Sequence, residues 1–148
     1  MACLRERNNI MDKDRIGYFM DIAVLASKRS KCLSRQVGAV LVSDRFHILS
    51  VGYNGPPSNV DHCTKCKRID SPGKNLELCY AVHAEANALL QCRDINKISA
   101  IFSTDKPCQM CTNMLLNTSC QTIYFLKDYP HYSEEIWINQ SRRIIQID

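Results

Sequence analysis

From Ile16 the apolar residues fall at Ile16, Phe19, Met20, Ala23 and Val24, a three-and-four spacing that predicts a helix with one inward face, ending near Lys31. Lys28, Arg29 and Lys31 suit the negative end of its dipole. Residues 37–42 form an almost unbroken apolar run and predict a buried strand. Ser43-Asp44-Arg45 reads as a turn, and residues 47–53 as the hairpin partner. The sequence Asn54-Gly55-Pro56-Pro57-Ser58 then breaks the chain. Helical spacing returns over residues 83–93, with Ala86, Leu89 and Leu90 on one face. It recurs from Pro107 through Leu116, with Met110, Met114 and Leu115 inward. Residues 98–103, 122–126 and 144–147 read as strands, and a further helix lies within residues 132–139. This order predicts an α/β domain, a mixed sheet of about five strands covered by helices.

Residues 1–13 are polar and are expected to be loosely held, and residues 55–78 lack periodicity. So long a loop inside one domain is uncommon unless it is functional or pinned. With 148 residues, 45% apolar and 23% charged, the chain fits a single globular domain over 1–148. No apolar run approaches the ~20 residues of a membrane span, and the polar amino terminus does not read as a secretory signal. The formal charge of +4 is mild and dispersed, and aromatic residues are only 7%, which argues against a nucleic-acid surface. The nine cysteines are the exceptional feature. An odd number without an export signal points to a reducing, cytoplasmic setting and to metal or catalytic use rather than disulfides.

Two short-spaced pairs, Cys63-x-x-Cys66 and Cys108-x-x-Cys111, suggest zinc. Cys108 and Cys111 are three apart at a predicted helix start, so they face one way, and the helix amino terminus favours thiolates. His83 opens the neighbouring helix and supplies a third ligand. Three protein ligands leave the fourth tetrahedral position open, as in catalytic sites. Glu85 lies two residues beyond His83, about 200° around a helix, so it diverges from the ion and is placed to move protons beside it.

The order His83-Ala84-Glu85 followed by Pro107-Cys108-Gln109-Met110-Cys111 resembles the signature of the zinc-dependent nucleobase deaminases. Three further stretches, residues 27–40, Gly52-Tyr53-Asn54-Gly55-Pro56-Pro57 and residues 77–88, are similar to the deoxycytidylate branch of the cytidine/deoxycytidylate deaminase superfamily. The likeness spans about residues 14 to 130. It implies a three-layer α/β/α fold and hydrolytic deamination of dCMP to dUMP and ammonia, a step toward dTMP. His83, Cys108 and Cys111 would hold the catalytic zinc and Glu85 would shuttle protons. The Ala84 amide would bind the pyrimidine O2, and Asn54 the sugar hydroxyl. Members are typically homo-hexamers activated by dCTP and inhibited by dTTP, the triphosphate carrying Mg2+, with Gly52, Tyr53, Asn54 and Gly55 near the effector site. Lys106 departs from the aromatic or glutamate that relatives often place before the Pro-Cys pair.

Relatives with a second zinc often supply a thiol at the position of Cys32, so Cys32, Cys63, Cys66 and Cys79 are candidates for a structural zinc pinning the 55–78 loop, with His62 a possible substitute. A 5′-phosphate requires cationic or donor groups. Arg35, Lys127 and Tyr129 flank segments expected to converge on the pocket, although surface roles for Arg35 and Lys127 compete with that. Arg142 and Arg143 read as a surface pair. Alternatives to a dCMP-acting enzyme are a tRNA or single-stranded DNA deaminase, a cytidine deaminase and a non-enzymatic zinc module.

Overall fold

In the computed structural model, which describes residues 11–67, 78–129 and 133–148, Asp12 caps the first helix by accepting a hydrogen bond from the Arg15 amide at 2.9 Å. Helix α1 (Lys13–Ser27) leads into the antiparallel hairpin of β1 (Gly38–Ser43) and β2 (Ile48–Tyr53). Then follow α2 (Ala84–Gln91), β3 (Ile98–Asp105), α3 (Gln109–Leu116), β4 (Thr122–Lys127), α4 (Ser133–Asn139) and β5 (Arg143–Gln146). The strand order is β2-β1-β3-β4-β5. Strand β1 runs antiparallel to β3, pairing Ala39 with Ser103, whereas β3, β4 and β5 are mutually parallel. The expected five-strand mixed sheet is present. The expectation for residues 1–13 lies almost wholly outside the described residues, as does the middle of the 55–78 segment.

Every residue of β1 is buried, which accounts for its continuous apolar run: the strand is covered on both faces. Val40 and Val42, with Phe102 and Tyr124, pack against Phe19, Met20 and Ala23 of α1. The alternate residues Ala39, Leu41, Ile101, Ile123 and Phe125 meet Ala84 and Ala88 of α2, Leu115 of α3 and Trp137 of α4. These are the two hydrophobic interfaces of a three-layer α/β/α domain.

Two glycines set how closely helices approach this sheet. A Cβ at Gly38 would lie 2.0 Å from the Ala23 carbonyl oxygen, and one at Gly52 would lie 2.4 Å from the Ala84 carbonyl oxygen and 2.5 Å from the Ala88 amide nitrogen. Helix α2 therefore rests on bare strand backbone, with Ala84 and Ala88 as its contact residues.

This close approach corrects the sequence reading of the helix faces. Leu90 is 79% exposed and Met110 72% exposed, so neither points inward. The buried residues are Ala84, Glu85 and Ala88 on α2, and Cys111, Thr112 and Leu115 on α3. Helix α3 also begins later than expected, with Cys108 as its N-cap and Pro107 outside it.

Arg142, expected on the surface, is instead a staple. Its guanidinium donates to the carbonyls of Leu115, Leu116, Thr118 and Cys120 at 2.9–3.4 Å and lies 5.0 Å from the Trp137 ring centroid. Those carbonyls include the end of α3, which has no intrahelical donors of its own.

Candidate active site

Where β3 and β4 end and β1 begins, the sheet edge gathers the amino termini of α2 and α3. Ligands of open α/β sheets bind outside such carboxyl ends. His83 is the N-cap of α2 and Cys108 the N-cap of α3, and neither side chain caps its own helix. His83 Nδ1 lies 3.3 Å from Cys108 Sγ and 3.4 Å from Cys111 Sγ. Among the described residues this is the one His/Cys/Asp/Glu group whose donor atoms all fall within 4.8 Å of one another.

The donor set fits zinc. Tetrahedral bonds of ~2.3 Å to sulfur and ~2.0 Å to nitrogen place such atoms ~3.5 Å apart, close to the spacing seen. The Cys108 thiol is already biased toward the metal-binding form. Hydrogen bonding from the Cys111 thiol, with His83 beside it, pulls Cys108 down to about 3. Cys111 is pushed up for the complementary reason, sharing its proton with Cys108 and being buried. A divalent cation bound by both sulfurs would displace the protons the pair still holds.

Glu85 is 4% exposed and is not one of the grouped donors. Burial pushes its carboxyl above the ordinary value, and a hydrogen bond from Ser103 works against that. The Ser103 hydroxyl, fully buried on β3, donates to Glu85 Oε1 at 2.7 Å. Sequence reading missed Ser103. The available signal was a polar residue at the same strand phase as Ile101, on the face that meets α2.

Over residues 13–127 the chain matches the family model for the cytidine and deoxycytidylate deaminase zinc-binding region. The chain belongs to this deaminase family. It is 36% identical over 120 residues to the deoxycytidylate deaminase of Mycobacterium phage D29, a match covering 75% of this chain and 93% of the phage protein. It is 34% identical over 118 residues to the deoxycytidylate deaminase of Saccharomyces cerevisiae, covering 76% of this chain and 38% of the yeast protein. The chain therefore spans nearly all of one relative and well under half of another. The crystal structure of apo dCMP deaminase from the cyanophage S-TIM5 superposes with a TM-score of 0.75 at 25% identity, covering 93% of this chain and all of the other.

The other candidate residues of the deaminase take distinct places. Ala84 is buried at the first helical position of α2, where an amide has no intrahelical acceptor. Asn54 is buried and its amide is committed to backbone: Oδ1 accepts from the Val37 amide and Nδ2 donates to the Arg35 carbonyl, both at 2.9 Å. Arg35 is ion-paired with Asp105, and its guanidinium lies 4.3 Å from the Tyr129 ring centroid. Gly52 is buried beneath α2, Tyr53 is partly exposed, and Gly55 bridges Val82. Cys32, Cys63, Cys66 and Cys79 line one pocket with His62, but their donors are not drawn into a group as tight as the first. The eight cysteines of the described residues are all free, and no helix among those residues is long and apolar enough to cross a membrane.

Proposed function

We infer that this chain deaminates dCMP hydrolytically to dUMP and ammonia, with zinc held by His83, Cys108 and Cys111. The observation that carries the reading is a buried Glu85 beside, and not within, the His/Cys/Cys group. The D29 and yeast relatives, both deoxycytidylate deaminases, suggest the substrate. A zinc ion there supplies Lewis acidity that lowers the pKa of a water molecule. Glu85 accepts a proton from the water attacking C4 and delivers it to N3 of the pyrimidine; it then takes the proton of the new C4 hydroxyl and passes it to the C4 amine, so that the C4–N bond breaks, the C4 carbonyl forms and ammonia leaves. The Ala84 amide faces the pyrimidine O2, Asn54 lies beside the sugar, and Arg35 and Tyr129 meet the 5′-phosphate.

The finer features belong to the same reading. The dUMP product feeds dTMP synthesis. Arg29, Lys31 and His62 line a cleft with Tyr53, Asn54 and Gly55, a cationic setting that supports binding of a dCTP or dTTP effector with its Mg2+. Convergence of Cys32, Cys63, Cys66 and Cys79 on one pocket supports a second, structural zinc. A homo-oligomer, a hexamer by family resemblance, belongs to the same reading. The free thiols of the described cysteines support a reducing, cytoplasmic location.

The test is ultraviolet-monitored turnover of dCMP by metal-quantified protein, with and without dCTP, beside deoxycytidine and CMP. Selective turnover of dCMP tied to zinc is expected. Glu85→Gln is expected to lower kcat by ~10²–10⁴-fold, the range for a lost general acid–base group, with zinc content unchanged. A zinc-loaded protein inactive on all three, with dCTP present, overturns the reading.

A further inference from the structure

Where β3 runs into the cysteine pair, two oppositely charged residues stand side by side in the interior. Asp105 and Lys106 are each 7% exposed. Burying an ionised side chain is unfavourable unless it is paired, and Thr104 and Pro107 on either side show that uncharged residues fill this part of the chain. The two charges reach to different segments at the mouth of the site. Asp105 Oδ2 accepts from Arg35 Nη2 at 2.5 Å. Lys106 Nζ donates to Glu134 Oε1 at 2.5 Å and to Asp128 Oδ1 at 3.2 Å.

The two arms then meet. Asp128 Oδ1 also accepts from the Tyr129 amide at 2.8 Å, and the Tyr129 ring lies against the Arg35 guanidinium. Backbone contacts fix both sides: the Lys106 amide donates to the Lys127 carbonyl at 2.9 Å, and Asn54 holds the Arg35 carbonyl. The Tyr129 ring and the Asp105 bond hold the guanidinium from two sides. A guanidinium carries five N–H donors in a rigid fork, and the Arg35 side chain remains 40% exposed. One edge therefore goes to Asp105 while another is left for an anion, in the bidentate geometry that suits phosphate.

We propose that Asp105 and Lys106 are positioning residues that hold Arg35 and Tyr129 as a preformed grip on the 5′-phosphate of the substrate. The choice of ligand rests on the deaminase reading above. Preorganisation lowers the ordering cost of binding, so loss of Lys106 acts through Arg35.

The test measures calorimetric dissociation constants for dUMP and deoxyuridine on intact zinc-loaded protein, for wild type, Arg35→Gln, Lys106→Met and the double variant. Wild type is expected to bind dUMP at least tenfold more tightly than deoxyuridine. Each single variant is expected to erase most of that ratio, with deoxyuridine affinity and zinc content unchanged. The double variant is expected to lose no more than Arg35→Gln alone, a non-additivity that a merely structural role for Lys106 does not produce. Asp128 and Glu134 have side chains 67% and 42% exposed, so water solvates them in Lys106→Met and the fold survives. Wild-type protein that fails to prefer dUMP, a Lys106→Met protein that keeps the full ratio, or losses that multiply in the double variant overturns the proposal. Absence of dCMP turnover overturns the deaminase reading alone, because the binding ratio is read without turnover.

Discussion

At the scale of single residues, the site divides into groups that face a ligand and groups that hold those in place. Glu85 cannot choose its own rotamer: its carboxylate is buried and tethered by a Ser103 hydroxyl on a different element. Ser103→Ala removes a hydrogen bond to a charged group, worth ~1.5–3 kcal/mol, and frees the carboxylate to reorient. We expect kcat for dCMP to fall about tenfold or more with KM and zinc content little changed, read by steady-state kinetics and metal analysis. The His83, Cys108 and Cys111 cluster and the neighbouring Glu85 were legible in the sequence, because their spacing and their resemblance to a family signature single them out. Ser103, Asp105 and Lys106 were not, because their partners lie 18 to 70 residues away and only the folded sheet edge brings them together.

At the scale of elements, four helices and five strands were legible from periodicity, with boundaries off by a few residues. The helix faces were misread on α2 and α3. Hydrophobic size misled there: the sheet takes small residues, because Gly52 lets the backbone of α2 come within contact distance of β2. Gly52 looked like part of an effector motif, yet its physical role on the structure is to seat the helix that begins with His83 and carries Glu85. Gly52→Ala places a methyl group against backbone atoms that cannot rotate away. The expected cost is ~1–3 kcal/mol of stability, seen as a lower urea midpoint at unchanged slope, together with weaker zinc retention.

At the scale of the whole molecule, the buried titratable groups away from the metal site determine how the fold responds to pH. Burial pushes the Cys120 thiol from 9.0 up to about 12 and also raises Tyr124. Both groups hold their protons more tightly in the folded chain than in the unfolded one. Stability is therefore complete below the unfolded value and is lost as pH rises between 9.0 and about 12 for Cys120. The loss reaches ~1.4 kcal/mol per pH unit for each such group. Urea midpoints taken across pH 8 to 11 are expected to fall (the pH range chosen to bracket the onset, on the order of one to two units beyond the ordinary thiol value), and Cys120→Ala is expected to flatten that fall from a lower starting stability.

The Arg142 staple also bears on the order in which the protein is made. Arg142, which closes the far end of α3, is made more than thirty residues after the cysteines at its near end, by the numbering. A growing chain thus exposes its Cys-x-x-Cys pair before the helix that presents it has been completed at the other end. Domains fold as units during synthesis. Metal capture by a finished His/Cys/Cys site accordingly follows the synthesis of Arg142, and a ribosome that stalls short of Arg142 leaves a nascent chain with loose thiols rather than a partial enzyme.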